Sequence, residues 1–416
     1  MNILYVVPYV PNLIRTRPYN LIRGLKQRGN SVTLVTLWED SQELESLRRL
    51  EQEGIKVIST RLSKSRSAWN ALSAIPSRVP LQAVYCWQPT LLKMLNLEIR
   101  DQHFDVIHIE HLRGSRYGLW LKTRLERASL HPRIIWDSVD CISHLFEQAA
   151  RSSTSPFGRL VTRLELDRTR RYEGWLVKQF DQVLVTSPVD KMALELLACN
   201  QRGFKKTTDE PPSLIHVLPN GVDLDFFTPM NQVIETDTLV FSGKMSYHAN
   251  VTAVSYLVNN IMPFVWAKRP SVRVLIVGKD PTLVVRQLAT RQPERVIVTG
   301  TVPDIRPYLA RAAIAVSPVK YGAGIQNKVL EAMAMAIPVV ATTQAVSALQ
   351  AQDGQDILIA SSAEAFAQTV LKVLASKELQ RRIGQAGRRY VEQNHNWKAI
   401  SGQLESIYGS APNIES

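Results

Sequence analysis

Cysteine is nearly absent. Cys86, Cys141 and Cys199 are three in 416 residues, scattered, odd in number and never spaced as a ligand pair. That excludes a disulfide framework and a structural zinc finger, and it reads as a reduced, cytoplasmic protein. Long hydrophobic runs are missing too: none approaches the roughly 18 residues that a membrane helix needs. No charged-then-apolar leader opens the chain, and Met1-Asn-Ile-Leu-Tyr-Val-Val-Pro reads as a buried strand rather than a signal peptide. Short-period repeats and low-complexity tracts are absent. Acidic residues are in deficit, 37 Asp+Glu against 50 Lys+Arg, for a net charge of +13. The imbalance is uneven. Residues 1–205 hold 30 Lys+Arg and 20 Asp+Glu (+10), and residues 206–416 hold 20 and 17 (+3). Nucleic acid is disfavoured as the partner, because no aromatic-interleaved or helix-turn-helix pattern accompanies the charge. An anionic membrane surface or a phosphate-bearing acceptor suits the basic half better; a merely solvated basic surface is the plain alternative.

What is present is alternation. Short apolar runs alternate with longer amphipathic ones, the pattern of parallel α/β architecture. The first series of expected strands is 3–7, 31–36, 56–60, 106–109, 134–137 and 182–186. A second series is expected at 214–218, 238–242, 273–277, 296–299, 313–317, 338–341 and 356–359. The polar, proline-containing stretch 203–213 reads as a linker. Two tandem doubly wound, Rossmann-like domains follow, spanning 1–205 and 206–395, with a last helix and tail at 396–416. Such sheets take ligands at the carboxyl ends of their strands, which places the expected site in a cleft between domains.

One run carries chemistry: Gly322-Ala-Gly-Ile-Gln-Asn-Lys328-Val-Leu-Glu331. It follows a strand-like segment, so its glycines lie at a strand-to-helix turn. Glycine lets backbone approach a ligand, and free N–H groups at a helix start attract anions. Lys328 and Glu331 are three apart, on one helical face. One offers a cation to phosphate, the other a carboxylate to vicinal hydroxyls, together a site for a sugar nucleotide. An ordinary strand-turn-helix unit with a solvated Lys–Glu pair is the bland alternative.

This run resembles the donor-site segment of retaining glycosyltransferases of GT-B architecture, family 4 type. Pro219-Asn-Gly-Val-Asp223, Phe241-Ser-Gly-Lys-Met-Ser-Tyr-His-Ala-Asn250 and Val298-Thr-Gly-Thr-Val-Pro-Asp304 resemble, in order, that group's interdomain signature, phosphate loop and base-binding turn. Trp136-Asp-Ser-Val-Asp-Cys-Ile-Ser143 is similar to sugar transferases of bacterial exopolysaccharide clusters. The resemblance implies an acceptor-binding first domain and a nucleotide-sugar-binding second domain. It also implies a C-terminal helix that crosses back to the first domain, for which the apolar spacing of Trp397, Ile400, Leu404, Ile407 and Tyr408 is suitable.

Carried onto this sequence, the resemblance assigns donor contacts to Gly243, Asn250, Val302, Asp304, Gly322, Gly324, Ile325, Gln326, Asn327 and Glu331. Two basic residues six apart are usual on the phosphate loop; here they fall on Lys244 and Asn250, so one charge is lost. Lys244 and Lys328 are then the expected phosphate cations, with Asn250 a neutral donor. The usual first glutamate is replaced by Ala323. The usual N-domain histidine is also absent, and Asp137 is the positional substitute, completing with Lys244 and Lys328 the expected catalytic set. Helix capping by Asp137, Ser138 or Asp140 is the competing reading.

On the acceptor side stand Arg15, Arg17, Glu110, His111 and Asp140. The turn carrying Arg15 and Arg17 contains no glycine. His108 and His111 project to opposite faces of a strand, which argues against a metal pair. Asp223 and Asp225 resemble a metal-binding pair, but Asp223 closes a turn where capping fits better. No metal and no resident cofactor are expected. The helical segment 157–180, with Arg159, Arg163, Leu160, Leu164, Arg170 and Arg171, suggests membrane-surface affinity diluted by Glu165, Asp167 and Glu173. The expected activity is metal-independent sugar transfer from a UDP- or GDP-sugar to a sugar, lipid-linked or other anionic acceptor. The expected location is the cytoplasm, peripheral to the inner membrane. A sugar-nucleotide epimerase of the same fold and a non-catalytic nucleotide-sugar binder are the alternatives.

Overall fold

Residues that alternate along the first strand enter two different cores. Leu4 and Val6 join one cluster with Ile107, Ile109 and Trp136; Ile3, Tyr5 and Val7 join another with Leu21, Ile22 and Leu25. A strand buried on both faces must read as a continuous apolar run, which this one does. In the computed structural model of the chain, the described backbone comprises residues 1–152, 156–199, 215–321 and 325–410, and the described side chains are those outside 148–163. The 203–213 stretch, Gly322, Gly324, Arg159, Leu160 and Arg163 lie outside them.

The first sheet contains β1 (Asn2–Val7), β2 (Ser31–Trp38), β3 (Lys56–Arg61), β4 (Val106–Glu110), β5 (Arg133–Val139), β6 (Gln182–Val185) and β7 (Ile215–Val217). Its order is β3-β2-β1-β4-β5-β6-β7, with every pairing parallel. The second holds β8 (Glu235–Ser242), β9 (Arg273–Val277), β10 (Val296–Gly300), β11 (Ala312–Ser317), β12 (Val339–Ala341) and β13 (Leu358–Ile359). Its order is β10-β9-β8-β11-β12-β13, again parallel throughout. Each sheet therefore reverses direction once, at β1/β4 and at β8/β11. The carboxyl ends of those strands open the crevice where such sheets take ligands.

The strand expected to open the second series closes the first sheet instead: Ile215–Val217 pairs with Val183–Val185 of β6. Its three residues carry no signal of which sheet they join, and the polar stretch before them misled the boundary. The chain forms two compact units, Met1–Pro219 with Trp397–Ser416, and Asn220–Asn396. The last helix, Trp397–Gly409, belongs to the first unit and buries Trp397, Ile400, Leu404 and Tyr408. It lies so close to the helix Thr16–Gln27 that a Cβ on Gly24 would meet Ser401 Oγ at 2.0 Å.

Candidate donor and acceptor sites

In the second unit the loops after β8 and β9 close on each other through backbone. Gly243 N–H donates to Val277 O (3.0 Å) and Met245 N–H to Lys279 O (2.8 Å). Gly278 has φ +154°, and a Cβ there would lie 1.7 Å from Gly243 O. Only glycine fits that approach. Gly243 is equally confined: its own Cβ would meet Asn250 Nδ2 at 2.8 Å and Lys328 Cε at 3.4 Å.

Asn250 is the hub of this corner. It is buried in the first turn of the helix His248–Tyr256. Its Nδ2 donates to Lys244 O (2.9 Å), and its Oδ1 accepts from Lys328 Nζ (2.5 Å). The residue expected as a neutral phosphate donor thus spends its amide on holding the loop and the lysine. Lys328 sits in the first turn of the helix Asn327–Ala334, its ammonium 4.6 Å from the Phe241 ring centroid. Burial pushes Lys328 down to about 8, opposed by Glu331; burial pushes Glu331 up to about 7, opposed by Lys328. The two face each other electrostatically in a poorly solvated corner that disfavours both charges.

Ile325 is buried and Gln326 occupies the N-cap position without a side-chain capping bond. Asn327 opens the helix. Lys244 is exposed, with Nζ 4.0 Å from Asp280 Oδ2. Asp304 is engaged by its neighbour: Arg306 donates to it through Nη2 (2.7 Å), Nε and its backbone N–H, which holds the carboxyl below its usual range. Arg306 in turn lies over Phe226 (3.8 Å), and Val302 packs on the core. Asp223 Oδ1 accepts from the N–H groups of Asp225 and Phe226, the arrangement of a capped turn. Tyr321 had no signal in the sequence. Its ring stacks on His248 and its hydroxyl lies 3.0 Å from both His248 Nδ1 and Thr252 Oγ1.

In the first unit the carboxyl ends of β1, β4 and β5 gather a buried polar network. Arg17 and Asp137 are both buried and paired, Nη2–Oδ2 2.7 Å and Nε–Oδ2 3.0 Å. Arg17 Nη1 also donates to Leu218 O (3.0 Å). Arg17, expected on the acceptor side, lies in the first turn of the helix Thr16–Gln27 and is buried. Asp137, expected in the catalytic set, is fully buried, and its carboxylate is taken up by that arginine. Arg15 remains at the surface, paired with Glu43 at 2.8 Å.

Glu110 accepts from Tyr5 (2.6 Å) and Tyr9 (2.8 Å), and burial, with Asp137 nearby, pushes it up to about 7. Burial likewise lifts the partly exposed Asp140 to about 7, helped by Asp190, and drives His111 down to about 3. His108 stacks on Tyr5 and its Nδ1 meets Tyr408 of the last helix at 2.9 Å. His111 (φ +65°) and Val139 (φ +68°) hold left-handed backbone at the ends of adjacent strands. Non-glycine residues persist there only when their surroundings impose it, and such strain clusters at functional sites. In the segment 157–180 Glu173 is buried and accepts from Ile142 and Ser143 N–H, so it does not dilute a surface. Arg170 pairs with Glu147 and Arg168 with Glu165. Among the described residues no cluster of three His, Cys, Asp or Glu side chains is gathered for a metal, and no helix is long and apolar enough to cross a membrane.

Residues 14–221, half of the chain, match the family model described as glycosyl transferase 4-like domain, and residues 236–376 match that of glycosyl transferases group 1. A Corynebacterium glutamicum protein, the GDP-mannose-dependent monoacylated alpha-(1-6)-phosphatidylinositol monomannoside mannosyltransferase, is 28% identical over 231 residues. That match covers 51% of this chain and 60% of the relative. Sucrose-phosphate synthase from Thermosynechococcus elongatus has a similar structure, with a TM-score of 0.67 at 18% identity over 98% of each chain. Anabaena HepE in complex with UDP and glucose gives 0.69 at 14%, over 98% of this chain and 99% of its own. The GT-B fold of two doubly wound sheets is therefore shared.

Proposed function

This chain belongs to the glycosyl transferase 4-like family, and from that premise we propose that it is a retaining glycosyltransferase. It moves a hexose from a UDP- or GDP-sugar to a lipid-linked or otherwise anionic acceptor, without a divalent metal. The second unit receives the donor and the first the acceptor, and the protein works in the cytoplasm against the inner membrane. Matched families of transferases do not favour the epimerase alternative. A corynebacterial relative is named for GDP-mannose and a phosphatidylinositol mannoside, and a structural neighbour holds UDP. Both names support the donor class, and the first supports a lipid acceptor.

The observation that carries the reading is the Lys328 ammonium, held by Asn250 in a desolvated corner at a helix start. When the bond from the anomeric carbon to the diphosphate oxygen breaks, negative charge grows on that oxygen. A fixed cation in a poorly solvated place stabilises that charge more than it stabilises the intact donor. With a value near 8, Lys328 is still mostly charged at neutral pH. Lys244 supplies a second, exposed cation from the loop after β8, and N–H groups near Gln326 a third positive source. Glu331, one turn further along the same face, accepts hydroxyls of the ribose. Gly243, Val302, Asp304, Ile325, Asn327 and the glycines at 322 and 324 complete the donor contacts.

A thermal-shift panel of nucleosides, nucleoside diphosphates and their sugars tests this. A ligand at one hundred times its Kd adds about 2.7 kcal/mol of stability. The expected result is a shift with UDP or GDP that the nucleoside does not give, followed by acceptor-dependent release of that diphosphate from its sugar. A panel without any shift would overturn the donor assignment.

A further inference from the structure

One helix of the first unit is packed inside out. Lys64–Ala74 buries Ser67, Asn70 and Ala74, while Trp69 is 65%, Leu72 60% and Ile75, just past its end, 56% exposed. A surface helix ordinarily turns its large apolar side chains inward. Here Trp69, Leu72 and Ile75, three apart, form one outward stripe. The orientation is fixed by hydrogen bonds: Asn70 Nδ2 donates to Tyr85 O (3.1 Å) and Trp87 O (2.8 Å). Rolling the stripe inward would break both bonds and leave the Tyr85 and Trp87 carbonyls without that donor. Ser63 caps the first turn through Arg66 N–H.

The surroundings of this stripe are positive. Residues 54–97 contain Lys56, Arg61, Lys64, Arg66, Arg78 and Lys93 and no Asp or Glu, with Lys56 paired to Glu98. Lys64, the first residue of the helix, and Arg78, three residues past Ile75, are exposed. The helix follows β3, so it leaves the same sheet edge at which Tyr9, Glu110 and His111 stand. Three side chains fall well short of the roughly 800 Å² per partner that a stable protein interface buries. Exposed Trp, Leu and Ile between cations match a bilayer instead: aliphatic chains enter the acyl boundary, tryptophan rests at headgroup depth, and lysine and arginine meet anionic headgroups.

We propose that Trp69, Leu72 and Ile75, flanked by Lys64 and Arg78, dock this protein on an anionic phospholipid surface. The proposal deepens the lipid-acceptor reading above, and it centres the membrane contact on this helix rather than on the neighbouring 157–180 segment, whose Arg168 donates to Ile75 O and pairs with Glu165.

Co-sedimentation of the full chain with vesicles tests it without any turnover. Equal mixtures of phosphatidylcholine and phosphatidylglycerol are expected to bind, and phosphatidylcholine alone to bind far less. Replacing Trp69, Leu72 and Ile75 together by serine should weaken binding by about tenfold or more. Lys64→Glu with Arg78→Glu should abolish the preference for the anionic vesicles. Val233→Ser, at a more exposed apolar site in the other unit (88%), should change nothing. Because the three positions are solvent-facing, melting temperature and the nucleoside-diphosphate shift should stay as in the wild type, which separates this result from the fate of the donor reading. Vesicle binding unchanged in the serine variant overturns the proposal. So does a wild-type protein that ignores anionic vesicles, or a dimer that the same variant dissociates, which would assign the stripe to a second copy.

Discussion

Asn250 Oδ1 lies 2.5 Å from Lys328 Nζ, and the two residues are 78 positions apart in the chain. The contact joins the helix after β8 to the helix after β11, the two sides of the second sheet's crevice. On the reading proposed above, the Asn250 amide does not replace the charge missing from the loop but aims Lys328, which would supply it.

Lys328→Ala is therefore expected to weaken nucleoside-diphosphate binding by about tenfold to a hundredfold, since hydrogen bonds to charged groups contribute about 1.5–3 kcal/mol. Binding of the bare nucleoside should hardly change. Asn250→Ala should give a smaller loss of the same selectivity. Calorimetric titration with both ligands decides the matter; equal weakening of nucleoside and diphosphate would remove Lys328 from the phosphate site.

The Arg17–Asp137 pair makes a stability prediction rather than a catalytic one. Removing one partner of a buried pair leaves an uncompensated charge and costs about 3–5 kcal/mol. Asp137→Asn is expected to lower the denaturation midpoint accordingly, with Arg17→Leu similar and the double variant less harmful than the sum. Chemical denaturation of the three variants measures it. Full stability in Asp137→Asn, with turnover lost, would return Asp137 to the catalytic set.

Glu110 gives a pH signature. Its carboxyl is raised from 4.5 to about 7 in the folded state by burial and by Asp137. The folded state therefore holds a proton that the unfolded state has released between those values. The resulting stability is fully present below 4.5 and is lost as pH rises through about 7. His108 and His111, lowered by burial, act in the opposite sense at lower pH, so the comparison must be with a variant. In Glu110→Gln the fall in melting temperature from pH 5 to pH 8 should be shallower than in the wild type. Parallel curves would mean that Glu110 titrates normally.

Much of this was legible in the sequence because burial on both faces writes apolar runs that are hard to mistake. The expected strands at 3–7, 238–242 and 273–277 fall within the strands observed. Lys328 and Glu331 were legible because helical spacing alone puts them on one face. The rest depended on long-range partners. Nothing local says that Arg17 will find Asp137 at a separation of 120 residues, or that Asn250 will turn its amide to Lys244 O and Lys328. The inverted helix Lys64–Ala74 was hidden for the same reason: its amphipathic spacing is visible, but which face is buried is decided by Asn70 and two distant carbonyls.

Transfer is finally expected to need no divalent ion. The argument rests on charges already in place. Lys328 is held at a helix start, and Lys244 stands on the loop that Asn250 anchors to it. The acidic pair at 223 and 225 is committed locally, since the Asp223 carboxylate accepts two backbone N–H groups of its own turn. A cation fixed in a poorly solvated place, as Lys328 is, stabilises a departing diphosphate as an ion would, and it needs no assembly during the reaction. Turnover in excess chelator should therefore stay within about threefold of the untreated rate, a barrier change below about 1 kcal/mol. In Lys328→Ala the same assay should become responsive to added magnesium, because an ion can then take up the uncompensated charge. A wild-type rate that collapses in chelator and returns with magnesium or manganese would reverse the assignment and make Asp223 a ligand candidate.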